Sequence, residues 1–282
     1  MQMAIRDHVF FFGRPRGNFT LVARAFVSRA RQGDAGRGKI VCHDSYAGAR
    51  MHPMLFELSP PALPIRGSAA RFPVRRIYCV GRNYADHARE MGHDPALEQP
   101  FFFSKPADAL VCAPASVPYP SATSDLQHEV ELVVALHAGG RNLDAARARA
   151  CICGYGVGLD LTRRDLQRAA RDKGQPWDMG KGFDSSAPVS ELVPVSVCGH
   201  PRSGAIELSV NGQLRQRGDL SDMILDVETL IERLSRLVEL RAGDLLFTGT
   251  PAGVSALLPG DHVSAEIAGV GCLQIEIVPP LD

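Results

Sequence analysis

Apolar residues recur at helical spacing most clearly in the last third of the chain. The segment 222–240 predicts a helix with one apolar side, and Gly243 follows as a stop signal. The apolar positions are Met223, Val227, Leu230, Leu234 and Leu237. Because this stripe has the spacing of ordinary core contacts, it predicts packing on a core rather than a cofactor site.

Elsewhere the apolar runs are short and have the length of strands. Strands are predicted over 76–80, 126–136 and 152–161, with further short strands between 245 and 278. Asn211 and Gly212 favour a type I′ turn, which predicts a hairpin over 207–216. Strands and helices do not alternate regularly, so we expect an α+β, β-rich fold in a single catalytic domain, residues 54–282.

Two shorter helices are predicted from capping signals. Asn83 is positioned to cap a helix over 84–91, which Gly92 would stop. Thr162 and Asp165 have the spacing of a capping box, which predicts a helix that begins there and ends at Gly174.

Charge is distributed unevenly, although the whole chain has 31 basic and 31 acidic residues. Residues 1–53 carry nine basic and three acidic residues, a net charge of +6, and lack sustained periodicity. A transit peptide or a nucleic-acid-binding arm has this composition, but we favour a basic extension outside the fold.

The composition of the whole chain excludes several classes of protein. Zero formal charge argues against a nucleic-acid binder. No apolar run approaches the roughly 18 residues that a membrane span needs. Seven scattered cysteines suggest reduced thiols, so a cytoplasmic protein is expected.

Three carboxylates are candidates for a metal site. Glu129 and Glu131 lie two residues apart in a predicted strand, so both face the same side, and Asp160 ends an otherwise uncharged run. Carboxylates on a half-buried face repel one another unless protons or a cation neutralise them. Oxygen ligands suit Mg²⁺, Mn²⁺ or Ca²⁺, whereas the alternative is an acidic edge that faces solvent.

His87 and Glu90 lie three residues apart on a predicted helix and share one face. A carboxylate bonded to one ring nitrogen makes the other nitrogen a better base, although a surface ion pair is the alternative. Lys105 and Lys181 are candidates for the same site, although each could instead be a solvated charge on the surface. The glycines beside Lys181 and around Thr250 mark tight turns. The backbone amides of such turns can bind an anionic ligand, but the glycines are equally explained by the turns alone.

Six short segments, taken together and in this order along the chain, indicate a protein family more specifically than any one of them does. The segments are 81–90 (GRNYADHARE), 103–106 (FSKP), 128–132 (HEVEL), 158–167 (GLDLTRRDLQ), 177–183 (WDMGKGF) and 248–254 (TGTPAGV). Together they resemble the fumarylacetoacetate hydrolase family, in particular its short bacterial members that act on acylpyruvates. The resemblance runs from about residue 71 to the C-terminus and implies a mixed β-roll of the family's C-terminal-domain type, assembled as a homodimer.

The resemblance also implies a role for each matching residue. Metal ligands map onto Glu129, Glu131 and Asp160; catalytic residues onto His87, Glu90, Lys181 and Gln167; and substrate contacts onto Arg82, Lys105 and Thr250. The long eukaryotic enzyme has a further metal aspartate before its histidine motif. Here that stretch is Cys79–Gly81, without an acid, which makes the long enzyme's own substrate a poorer expectation.

The expected activity is metal-dependent hydrolysis of the carbon–carbon bond of an acylpyruvate, a small 2-oxo acid such as fumarylpyruvate, with Mg²⁺ or Mn²⁺. Oxaloacetate decarboxylation, or hydration or isomerisation of a dienoate acid, would use the same grip on a 2-oxo acid. From other classes, a non-catalytic metal- or metabolite-binding dimer and an RNA binder with a basic arm are alternatives. The carboxylates and the His–Glu pair argue against the first, and the lack of aromatic platforms in 1–53 argues against the second.

Overall fold

The computed structural model describes residues 55–90 and 100–281. The predicted extension 1–53 lies outside these residues, as do Met91 and Gly92 of the predicted first helix. From Phe56 onward the described residues belong to one compact unit.

Strands account for most of the regular structure. They are Ala62–Pro64 (β1), Arg71–Pro73 (β2), Arg76–Gly81 (β3), Phe101–Lys105 (β4), Leu110–Cys112 (β5), Ala115–Pro118 (β6), Leu126–Gln127 (β7), Val130–Leu136 (β8), Ile152–Leu159 (β9), Thr162–Arg163 (β10), Ala187–Val189 (β11), Val193–Pro194 (β12), Ala205–Val210 (β13), Gln213–Asp219 (β14), Asp244–Phe247 (β15), His262–Ile267 (β16) and Gly271–Val278 (β17). The helices are Ala85–Glu90 (α1), Ala145–Ala150 (α2), Arg164–Asp172 (α3), Asp178–Lys181 (α4), Val195–Cys198 (α5) and Val227–Leu237 (α6), with 3₁₀ turns at Ala107–Ala109 and Leu220–Asp222.

The strands form two main sheets. The larger sheet has the order β4-β3-β15-β8-β9-β11-β5, with β12 also paired to β9, and the smaller has the order β14-β13-β16-β17-β6. Most neighbours are antiparallel, while β3 with β15, β5 with β11 and β6 with β17 are parallel. The prediction of an α+β, β-rich fold is confirmed.

Strand β8 is buried on both faces because apolar residues pack against each. Leu132 and Val134 join the core formed with β13, β16, β17 and α6, whereas Val133 and Ala135 join a second core with β1, β2 and β15. Glu131 lies on the same face as Val133, since side chains two residues apart share a face. The predicted strand 126–136 is interrupted between β7 and β8. The carboxylates of Glu129 and Glu131, which were expected on a half-buried face, are buried.

The hairpin is confirmed, with β13 and β14 joined at Asn211 and Gly212. Both turn residues have positive φ, 51° and 75°, as a type I′ turn requires. The helix predicted over 222–240 is shorter, because Asp226 accepts a hydrogen bond from the amide of Thr229 and so begins α6 only at Val227. Leu237, predicted to pack, is exposed at the last position of α6.

Both predicted helix caps are wrong, because tertiary contacts use the side chains. The Asn83 amide donates to the carbonyls of Leu225 and Thr248 and accepts from the Leu225 amide. Thr162 belongs to β10, and its hydroxyl donates to the Asp160 carbonyl. Helix α3 begins without a side-chain cap.

Among the described helices, none combines the length and the hydropathy needed to cross a bilayer.

Candidate active site

Strand register brings the three predicted metal ligands together. Glu129 and Glu131 flank the first residue of β8, and Asp160 follows the last residue of β9. These strands are antiparallel, with Glu131 opposite Gly158 and the Asp160 amide donating to the Glu129 carbonyl at 2.9 Å. One carboxylate oxygen from each residue lies within 4.8 Å of the others, and all three side chains are buried. We call this group the carboxylate cluster.

Lys181 at the end of α4 is a fixed cation beside the cluster. Its ammonium group donates to Glu129 Oε2 at 2.8 Å, to Asp160 Oδ2 at 2.7 Å and to Thr162 Oγ1 at 2.7 Å. Burial alone would lower the pKa of Lys181, but the charges of Asp160 and Glu129 outweigh burial and raise it. Lys181 therefore stays protonated and supplies charge rather than acting as a base.

Arg164 joins three polar side chains at the start of α3. Its guanidinium donates to Glu129 Oε1, to Gln127 Oε1 at 2.8 Å and to Gln167 Oε1 at 2.6 Å. Together with Lys181, Arg164 holds the pKa of Glu129 well below its usual range despite burial. Since the Gln167 carbonyl oxygen is taken, its amide N–H groups are the part that can meet a ligand.

The charge and the spacing of the oxygen atoms in the carboxylate cluster fit a divalent cation. Asp160 Oδ1 is buried and, among the described residues, accepts no hydrogen bond, although Lys105 Nζ lies 2.8 Å away as an ion pair. Burial and the charges of Asp160 and Glu129 raise the pKa of Glu131 well above its usual range. Oxygen ligands about 2.0–2.6 Å from one ion lie within about 5 Å of one another, as these do.

The predicted His–Glu pair forms on α1. His87 Nδ1 lies 3.3 Å from Glu90 Oε2, and the Glu90 carboxylate also accepts from the Gly253 amide at 3.1 Å. Burial lowers the pKa of His87, although Glu129 and Glu90 act in the opposite direction, so the imidazole is neutral at pH 7. With Nδ1–H directed to Glu90, Nε2 is left as the proton acceptor.

Thr250 is oriented by a buried network that local patterns did not reveal. Gln216 Nε2 donates to Thr250 Oγ1 and to the Pro251 carbonyl, both at 2.8 Å. Gln216 Oε1 accepts from His128 Nδ1 at 2.8 Å and from the Val130 amide at 3.1 Å. Because Gln216 donates to its hydroxyl, Thr250 can in turn donate to a ligand.

Gly249, which precedes Thr250, connects the Thr250 loop to the carboxylate cluster. Its φ of +95° favours glycine, and its amide donates to Glu131 Oε2 at 2.7 Å. A Cβ atom at Gly249 would lie 2.8 Å from Asn83 Cβ, so the turn also needs glycine for space.

One cavity of about 310 Å³ collects these groups. Eight of the ten predicted site residues line it: His87, Glu90, Lys181, Gln167, Arg82, Thr250, Glu129 and Glu131. Asp160 and Lys105 are buried and are not among the residues that line it. Lys105, predicted as a substrate contact, donates instead to the carbonyls of Leu161 and Lys181. An aromatic wall completes the cavity, where Phe101 meets Trp177 edge-on with ring centres 5.2 Å apart.

Sequence patterns missed two members of the site, Arg164 and Gln216. Arg164 stands within the quoted segment 158–167, so its position between Asp160 and Gln167 was the available signal. Gln216 had no comparable signal, because it lies at the end of a predicted hairpin strand among exposed neighbours.

The chain is similar in sequence and fold to known proteins. Residues 76–278 match the family described as fumarylacetoacetate (FAA) hydrolase C-terminal. The chain is 50% identical to a fumarylpyruvate hydrolase from Pseudomonas aeruginosa, whose crystal structure contains Mn²⁺ and pyruvate; the likeness covers 80% of this chain and all of that one, with a TM-score of 0.79.

Two further relatives are named as enzymes of oxaloacetate. The chain is 41% identical to an oxaloacetate tautomerase of Escherichia coli over 72% of this chain and 93% of that protein. It is 38% identical to a mitochondrial oxaloacetate decarboxylase of Dictyostelium discoideum over 72% of this chain and 94% of that protein.

The chain belongs to the fumarylacetoacetate hydrolase family. The resemblance stated from the sequence is thus confirmed, and so is the mixed β-rich fold of the family's C-terminal domain. The named relatives are all enzymes.

Proposed function

We propose that this protein is a metal-dependent hydrolase that cleaves the carbon–carbon bond of an acylpyruvate, with fumarylpyruvate as the substrate. The observation that carries the proposal is the His87–Glu90 pair, a neutral, oriented base that lines the same cavity as Glu129 and Glu131 of the carboxylate cluster. A hydrolase needs such a base to activate water. The similarity to the Pseudomonas aeruginosa enzyme supports the choice of substrate.

Glu129, Glu131 and Asp160 would hold a divalent cation, Mg²⁺ or Mn²⁺, which would supply Lewis-acid stabilisation of charge on the oxygens of the 2-oxo acid. Lys181 and Arg164 keep Glu129 ionised and fixed for this task. Thr250 and the Gln167 amide can donate to the oxygens of a ligand.

In the reaction, His87 Nε2 takes a proton from water, and the water oxygen bonds to the acyl carbonyl carbon. The bond from that carbon to the pyruvate methylene then breaks, and its electron pair leaves with the methylene carbon. The imidazolium returns its proton to that carbon and so completes pyruvate, while the acid formed from the acyl group loses its proton to solvent and becomes a carboxylate. Glu90 stabilises the imidazolium that forms between these steps.

Oxaloacetate tautomerisation or decarboxylation is the second candidate, and the Escherichia coli and Dictyostelium discoideum relatives support it. Neither reaction consumes water, so neither requires a base that activates water.

The deciding experiment supplies the purified protein with Mn²⁺ or Mg²⁺ and measures pyruvate release from fumarylpyruvate and oxaloacetate, together with the enol-to-keto conversion of oxaloacetate. A higher kcat/KM for fumarylpyruvate is expected. Rapid turnover of oxaloacetate without hydrolysis of any acylpyruvate would replace the proposal with the second candidate. The homodimer stays a prediction that light scattering can test.

A further inference from the structure

One face of α3 runs from the inner end of the cavity to its mouth. Arg164, Gln167, Arg168 and Arg171 are spaced three and four residues apart, so they share this face, and all four line the cavity. Arg164 and Gln167 are buried, whereas Arg168 and Arg171 are exposed. The face therefore carries positive charge well beyond the carboxylate cluster.

Arg82 contributes another cation to the same opening. It follows β3 with φ at 65°, and its guanidinium carbon lies 5.3 Å from the centre of the Phe101 ring. Burial, and after it the charge of Arg171, lower the pKa of Arg82. Arg82 and Arg171 both line the cavity, so an anion bound between them would be stabilised by both charges.

The two arginines of α3 differ in how their charge is balanced. Arg168 donates to Asp125 at 2.9 Å, and only a quarter of the Asp125 side chain is exposed. Arg171 pairs with the adjacent Asp172 at 3.2 Å, and both side chains are exposed, an arrangement that contributes little. Arg171 is therefore the better placed of the two to exchange its partner for a ligand.

We propose that Arg82 and Arg171 bind a second carboxylate at the far end of the acyl group, so that the site selects dicarboxylic acylpyruvates. This inference rests on the proposed function, because it assumes that the 2-oxo acid end lies at the carboxylate cluster. An acyl group without a terminal charge would gain nothing from either guanidinium group.

The dimensions fit a substrate of this class. In an extended seven-carbon diacid such as fumarylpyruvate, six bonds of about 1.5 Å place the terminal carbons about 7.5 Å apart. From Arg164 to Arg171, α3 advances about 10 Å along its axis. The carboxylate oxygens and the long arginine side chains extend beyond these points and cover the difference of about 3 Å. A ligand with one end beside Arg164 and Gln167 can therefore present its other end to Arg171 and Arg82.

The test compares fumarylpyruvate, which has the distal carboxylate, with acetylpyruvate, which has a methyl group, in the presence of Mn²⁺. Arg171→Gln and Arg82→Gln are expected to lower the ratio of the two kcat/KM values by about tenfold, since each loses a charged hydrogen bond to carboxylate. The matched control is Lys173→Gln, which removes an exposed positive charge just beyond α3 that does not line the cavity. A ratio that falls equally in all three variants, or in none, would overturn the inference.

A binding measurement separates this inference from the proposed function. Calorimetric titration with fumarate and with crotonate compares a four-carbon diacid with its monoacid counterpart and needs no turnover. Tighter binding of fumarate, lost in Arg171→Gln and kept in Lys173→Gln, supports the distal site. If the wild-type protein hydrolyses neither acylpyruvate, the proposed function fails, and equal affinity for the two acids would reject the distal site as well.

Discussion

The inner end of the cavity and its mouth hold charge in different ways. At the inner end, Glu129 bonds to both Lys181 and Arg164, and all three side chains are nearly inaccessible. At the mouth, Arg168 and Arg171 are exposed, and each pairs with one carboxylate, that of Asp125 or Asp172. The inner charges are fixed in geometry before a ligand arrives, whereas the outer ones can change partners.

This difference follows from solvation. A buried charge must be compensated by protein groups, because it has lost its water. An exposed charge keeps its water, so its ion pairs contribute little and can be exchanged. Substitutions at the inner end should therefore abolish chemistry, while those at the mouth should change selectivity or very little.

Removal of the cation is expected to abolish activity. Excess EDTA should stop turnover, and Mg²⁺ or Mn²⁺ should restore it, because three converging carboxylates offer only hard oxygen ligands. Glu131→Gln should weaken Mn²⁺ binding strongly, as it removes charge without changing shape. In the metal-free protein the same substitution relieves repulsion, so Tm is expected to hold or rise; full activity in excess EDTA would falsify this prediction.

Loss of the base should have the next largest effect. His87→Ala is expected to lower kcat for acylpyruvate hydrolysis by ~10²–10⁴, the usual contribution of general base catalysis. Glu90→Gln should also reduce kcat, because it leaves the imidazole less basic and less well oriented. Mn²⁺ content, measured on the same samples, should barely change.

Oxaloacetate provides the control for this variant. Decarboxylation of oxaloacetate, where present, should survive His87→Ala better than hydrolysis does, since it needs no activated water. Equal loss of both reactions would assign the histidine to ligand binding, and unchanged hydrolysis would remove it from the mechanism.

The network behind Thr250 should have an intermediate effect. Gln216→Met keeps the volume but removes the bonds to Thr250, Pro251 and His128. We expect a loss of about 1–3 kcal/mol in the free energy of unfolding. A fall of about tenfold in kcat/KM should accompany it, because the Thr250 hydroxyl would lose the group that orients it towards a ligand.

Gln213→Met offers a matched control, because this residue lies on the same strand, β14, with an exposed side chain. It should alter neither quantity. Rescue of kcat/KM in Gln216→Glu would argue that volume and one acceptor suffice, and that the donors to Thr250 do not matter.

The smallest effect is expected at the mouth. Arg168→Gln breaks an ion pair to Asp125 in which the arginine side chain is 54% exposed. Such pairs contribute about 0–1 kcal/mol, so denaturant unfolding should show a change within that range. A loss as large as that of Gln216→Met would erase the contrast between the two ends of the cavity.

Much of the chemistry was determined by the sequence alone. The two-residue spacing of Glu129 and Glu131 and the three-residue spacing of His87 and Glu90 each specify a shared face, since strand and helix periods are local properties. The Asn211-Gly212 turn likewise sets its hairpin without help from distant residues. These predictions needed only the residues themselves and their neighbours.

The tertiary structure alone decided which of these pieces meet. Asp160 reaches Glu129 through the register of β8 and β9, a pairing that depends on both strands. Gln216 is fully buried although its strand neighbours are exposed, because the loop of Thr250 packs over it. Asn83 does not cap a helix as predicted, because its side chain bonds to backbone groups that are distant in the chain. Without Asn83 these groups would be buried without partners. Local periodicity reports the direction of a side chain, but the identity of its partner depends on contacts between segments far apart in the chain.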